Sequence, residues 1–98
     1  MTAADIEALG YLIPRQLPNG EWIAIMRMPF TVGLFVGITE YSYRTRFCYA
    51  DAVHAVLASI EWDGTGDPPG PWIKEKGSGV DRMNPAKETR DESQSNPD

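Results

Sequence analysis

Residues 60–74, IEWDGTGDPPGPWIK, carry a tryptophan near each end of a segment holding three glycines and three prolines. How this segment is disposed decides the fold. Glycine at this density weakens helix and strand alike, and each proline removes a backbone donor. The segment is too stiff to coil freely, yet well able to lie along a surface. Residues 63–74 therefore read as an arm that packs back over a sheet, with Trp62 and Trp72 as its anchors.

Upstream of the arm, Val53, Val56, Leu57 and Ile60 stand at the i, i+3, i+4, i+7 spacing of a helix's buried stripe. That spacing predicts a helix over residues 50–62. Asp51 sits in its first turn, where a negative charge suits the helix dipole, and Ala52, Ala55 and Ala58 add helix propensity. Gly64 and Gly66 end it. Before the helix the apolar period is two. Residues 43–49 alternate, with Thr45, Phe47 and Tyr49 on one side and Arg44, Arg46 and Cys48 on the other. Residues 31–38 place Val32, Leu34, Val36 and Ile38 on one face, and Gly33 and Gly37 flank Phe35 on the other, leaving room for something to lie across. Residues 21–28 are apolar on nearly both faces, as a central strand is. Tyr11, Ile13 and Leu17 share one parity in a first strand that Pro14 assigns to an edge. Pro18-Asn19-Gly20 joins these first two strands as a hairpin. At the start, Thr2, Asp5, Ile6, Leu9 and Gly10 spell a short helix capped at both ends.

The expected fold is α+β: a small antiparallel sheet of three to four strands with one helix packed on one face, a short N-terminal helix and an uncovered opposite face. Residues 1–76 form a single domain that includes the arm over 63–76. From Gly77 no apolar period remains, and residues 77–98 are expected to be a disordered tail.

With 98 residues, 42% of them hydrophobic and ten aromatic, the chain can build one core. The formal charge of −5 divides into −2 over residues 1–62 and −3 over 63–98, so neither part is a basic nucleic-acid arm. Cys48 stands alone and can form no intrachain disulfide, which fits a reducing compartment. The opening MTAADIEALG lacks the basic residues and apolar run of a signal peptide, and no stretch approaches a membrane span. A cytoplasmic protein is expected.

No spacing in the chain matches a known chemistry. Asp63, Thr65 and Asp67 imitate the first ligands of a calcium loop, but the pattern fails at Pro68 and Lys74, where a glycine and a glutamate are needed. Cys48 and His54 would form a nucleophile pair only within hydrogen-bond reach of each other. Neither a catalytic residue, nor a metal site, nor a cofactor is expected. Two groupings remain as binding candidates. Phe35, Trp62 and Trp72 are a protein-binding set if the arm leaves the sheet exposed. Tyr43, Arg44 and Arg46 are an alternative nucleic-acid surface, which the acidic total disfavours. An unpaired strand edge or bare sheet face leaves homodimerisation open.

The run Arg46-Phe47-Cys48-Tyr49-Ala50-Asp51-Ala52, followed by residues 62–74 and preceded by Val32-Gly33-Leu34-Phe35-Val36-Gly37, resembles a group of small hypothetical proteins of bacteriophage and prophage genomes. The resemblance covers roughly residues 30–75. It implies a phage or prophage origin and a bacterial cytoplasm, and no activity. The order of a small sheet followed by a helix is also similar in topology to DNA-binding domains of plant transcription factors and to arm-binding domains of phage integrases. Topology alone does not fix function. The expected role is that of a small non-enzymatic accessory protein acting by protein–protein binding.

Overall fold

The computed structural model describes residues 1–85. Thr2 caps helix α1 (Ala3–Ala8) through a capping box: its hydroxyl accepts from Asp5 N at 3.3 Å, and the Asp5 carboxylate accepts from Thr2 N at 2.8 Å. One side chain of α1, Ile6, is fully buried.

Six antiparallel strands follow in a meander whose spatial order is their chain order: β1 (Leu12–Gln16), β2 (Trp22–Arg27), β3 (Val32–Val36), β4 (Thr45–Tyr49), β5 (Trp72–Gly77) and β6 (Val80–Met83). A second helix, α2 (Ala52–Glu61), is inserted between β4 and β5. The expected sheet of three to four strands is thereby corrected to six, and the molecule is mostly sheet. The expected arm is corrected as well, since residues 72–77 pair with β4 and continue the sheet. The boundary expected at Gly77 falls inside a hairpin, and the remainder of the expected tail, residues 86–98, lies outside the described residues.

The sheet has two apolar faces. On one, Ile23, Ile25, Leu34, Val36, Phe47, Tyr49 and both Trp62 and Trp72 form the main cluster, closed by Ala55 and Ala58 of α2. On the other, Ile6, Ala24, Phe35 and Ile38 form a smaller cluster flanked by Tyr11, Trp22, Met26 and Tyr43. The second face is thus partly covered by α1, where the sequence predicts no cover.

The orientation of α2 turns three of the four residues of its predicted stripe outward, and only the fourth, Val56, packs against the main cluster. Ala55, Ala58 and Ser59 are buried, while Val53, Leu57 and Ile60 are 66%, 47% and 59% exposed. The sheet face beneath the helix is already filled by aromatic and branched side chains. A helix can approach such a surface closely only through its smallest residues. Asp51 is the N-cap, accepting from His54 N at 2.9 Å. At the other end Arg15 of β1 donates from Nε to Ser59 O at 2.6 Å and from Nη2 to Trp62 O, placing a cation on the orphan carbonyls of the last turn.

Strand β1 is an edge strand, in keeping with Pro14, but its single parity fails. A bulge lies between Leu12 and Arg15, with Ile13 at φ +54°. The extra residue sends Tyr11 to the smaller cluster and Leu17 to the main one. The turn at Asn19-Gly20 carries positive φ at Gly20 alone. Gly20 N donates to Leu17 O at 2.8 Å, and Glu21 O accepts from Leu17 N at 2.8 Å, the pattern of a three-residue hairpin loop. On β3, the space beside Gly33 is occupied by the Phe35 ring, which a Cβ at Gly33 would meet at 2.6 Å. No room remains there for an arm.

The two tryptophans hold the connection from α2 to β5. Both set their rings edge-on to Phe47, with centroids 5.8 Å away for Trp62 and 5.0 Å for Trp72. Trp62 Nε1 donates to Thr65 O at 3.2 Å, and the Tyr49 hydroxyl donates to Pro69 O at 2.7 Å. Burial raises the Tyr49 phenol well above its ordinary value. From β6, Arg82 donates to Asp67 and to Glu75, the latter at 2.8 Å, and lies over the Trp72 ring at 5.1 Å. Glu75, 7% exposed, also accepts from the Thr45 hydroxyl at 2.8 Å, so its buried charge is matched on both oxygens.

Candidate binding surfaces

The side chains proposed from sequence as protein contacts are inside the molecule. Phe35, Trp62 and Trp72 are 4%, 5% and 2% exposed and offer a partner no surface. Phe35 is held between Tyr11 and Tyr43 by edge-to-face contacts, with centroids at 5.3 and 4.7 Å. Their role in the folded chain is packing.

Of the proposed nucleic-acid set, Tyr43 and Arg46 are brought together and Arg44 is diverted. Arg46 Nη1 donates to the Tyr43 hydroxyl at 2.5 Å. Arg44 instead holds Glu21 in a two-pronged pair, Nε to Oε2 at 2.8 Å and Nη2 to Oε1 at 2.9 Å. The Arg44 hydrogen bonds lower the Glu21 carboxyl below its ordinary 4.5. A carboxyl lowered in the folded state gives stability that is complete above its unfolded value and is lost as pH falls through its folded value. With 56% of the Arg44 side chain exposed, the pair contributes under about 1 kcal/mol. Glu21→Gln should therefore lower the urea midpoint slightly at neutral pH, and the gap to wild type should narrow near pH 3. An unchanged gap would contradict this account of the pair.

The potential nucleophile pair is separated by the sheet. Cys48 is buried opposite Gly33, on the face that Phe35 packs against, whereas His54 is exposed on α2 and lies 2.9 Å from both carboxylate oxygens of Asp51. Of the calcium-like residues, Asp63 accepts from Thr65 N at 2.9 Å and Asp67 binds Arg82, as turn and tether. No group of three or more His, Cys, Asp or Glu side chains is gathered among the described residues.

Two other surfaces stand out. The first is the outer side of α2, where Val53, Leu57 and Ile60 form an apolar stripe facing away from the sheet. Asp51 at the N-cap, with His54 2.9 Å away, and Glu61 and Asp63 at the other end of the helix are all exposed. Beside the start of α2 a depression of about 320 Å³ is lined by Arg27, Met28, Phe30, Ala50 and Ala52, and Phe30 is 95% exposed. The second lies on the opposite sheet face, beyond the smaller cluster. There Arg46 of β4 stands directly across from Lys76 of β5, and Lys74 follows across from Cys48. An open groove of about 780 Å³ runs past Tyr43, Arg46 and Lys76 to the turn at Ser78 and Gly79.

Sequence reasoning missed the first surface and found only Tyr43 and Arg46 of the second. The exposed stripe is three of the four residues assigned to the core, and Lys74 and Lys76 belong to the segment read as an arm. Their clue is Gly77-Ser78-Gly79, a turn between two short runs of residues. Compared with protein-family models, characterised proteins and solved structures, the chain gives no significant match. Among the described residues no helix is long and apolar enough to cross a membrane.

Proposed function

We propose that the chain is a small non-enzymatic accessory protein, of phage or prophage origin and at work in a bacterial cytoplasm, that binds another protein through the outer face of α2. The observation that carries this reading is the exposure of Val53, Leu57 and Ile60 on the side of α2 turned from its own core. Three large apolar side chains in one stripe leave hydrophobic area in water that a partner's surface would remove from it. Charge at the helix ends selects the partner. With Asp51 at one end of α2 and Glu61 and Asp63 at the other, the complementary surface is an apolar helix or groove flanked by lysine or arginine. A second copy packed antiparallel on α2 would bring Asp51 toward the partner copy's Asp63, and like charge disfavours that pairing.

The test uses fluorescent helical peptides of leucine with lysine, and of leucine with glutamate, titrated into the full chain and followed by anisotropy. The lysine peptide should bind and the glutamate peptide should not, and Leu57→Asp should weaken binding at least about tenfold. Equal affinity for the two peptides, an unaffected Leu57→Asp, or a wild-type chain that sediments as a dimer which Leu57→Asp dissociates would overturn this reading.

A further inference from the structure

The groove on the other sheet face gathers cations that carboxylates only partly match. Arg15 is spent on helix carbonyls, Arg44 on Glu21, and Arg82 on Asp67 and Glu75. Arg46 and Lys74 have no carboxylate partner among the described residues. Lys76 has one, Asp81 at 3.2 Å, in a pair whose side chains are 42% and 72% exposed. Like charges directly opposite each other on a sheet destabilise it, and Arg46 faces Lys76 in register. The Nε of Arg46 is also buried, with no oxygen acceptor and the Cys48 thiol beside it. Three cations thus share one sheet face: Arg46 and Lys76 line the groove with Ser42, Ser78 and Asp81, and Lys74 stands beyond that lining.

We propose that this groove binds the phosphoryl group of a small ligand, with Arg46 and Lys76 as its principal contacts and Lys74 as a supporting charge. A tetrahedral anion presents several acceptor oxygens at once, which suits donors converging from a guanidinium, an ammonium and hydroxyls. Such an anion between Arg46 and Lys76 would relieve their cross-strand repulsion. Net charge sets the size of the ligand. Residues 1–85 hold seven basic against ten acidic side chains, a balance of −3, which works against a long polyanion beyond the groove. The groove lies on the sheet face opposite α2, so this site is independent of the protein-binding stripe.

Titration of the full ¹⁵N-labelled chain with inorganic pyrophosphate, beside a chloride control of equal ionic strength and a thymidine oligonucleotide, tests the proposal. Pyrophosphate should shift the amide peaks of Ser42, Tyr43, Arg46 and residues 77–79 saturably. Lys76→Gln, on the solvent side of β5, should weaken that response at least about tenfold. Arg46→Gln should abolish it, and Arg27→Gln should leave it unchanged. Shifts matched by chloride, a response that survives Lys76→Gln, or saturation by the oligonucleotide without any by pyrophosphate would overturn it.

Discussion

Trp72→Ala is expected to destabilise the protein by about 3–5 kcal/mol, the usual range for emptying a large aromatic site in a core. Trp72 is 2% exposed, sets its ring against Phe47 at 5.0 Å, and supports the Arg82 guanidinium above its own face. Its removal opens a cavity under the first residue of β5 and leaves Arg82 without the ring that positions it between Asp67 and Glu75. Small domains are stable by only about 5–15 kcal/mol, so much of the total is at stake. For a chain of this size the melting temperature should fall by about 12–40 °C. Trp72→Phe, which keeps an aromatic edge toward Phe47, should lose distinctly less. A melting temperature for Trp72→Ala within a few degrees of wild type would show that the ring is not part of the core.

The strands legible in the sequence are those whose apolar residues alternate on a buried face. β2 and β3 lie between neighbours and bury most of their side chains, and β4 buries Thr45, Phe47 and Tyr49 on the predicted side. β5 and β6 are different. WIKEKG buries only Trp72 and Glu75, and VDRM buries none of its four residues. These strands are held by backbone pairing and by the Thr45–Glu75–Arg82–Asp67 chain of polar contacts, which no hydrophobic period records. A short, charged outer strand is also how a sheet protects its edge, so the features that hide β6 from pattern reading serve the fold.

The same limit applies to the surfaces. The spacing of Val53, Leu57 and Ile60 reveals an apolar stripe on a helix, but the stripe's direction depends on what the sheet beneath already contains. Ala55 and Ala58 face that sheet because Phe47, Tyr49 and Trp62 leave space for little else. Alternation sets Arg44 and Arg46 on one face and Tyr43 on the other, whereas Tyr43, which precedes β4, meets Arg46 and Arg44 turns to Glu21. The groove was not legible either, because Lys76 and the 77–79 turn come from strands with no apolar signature.

The central claim is that the chain beyond Gly70 is the outer third of the sheet and part of the folded core. Its most direct test compares the thermal unfolding of two shortened chains, one ending at residue 85 and one at residue 70. The longer keeps every described strand and should unfold cooperatively near the full-length temperature. The shorter loses β5, β6, Trp72 and the Arg82 tether, bares the β4 edge and opens the main cluster, and should show no cooperative transition. A chain ending at residue 70 that melts cooperatively at the full-length temperature would contradict the account, returning residues 71–76 to an arm and 77–85 to a tail.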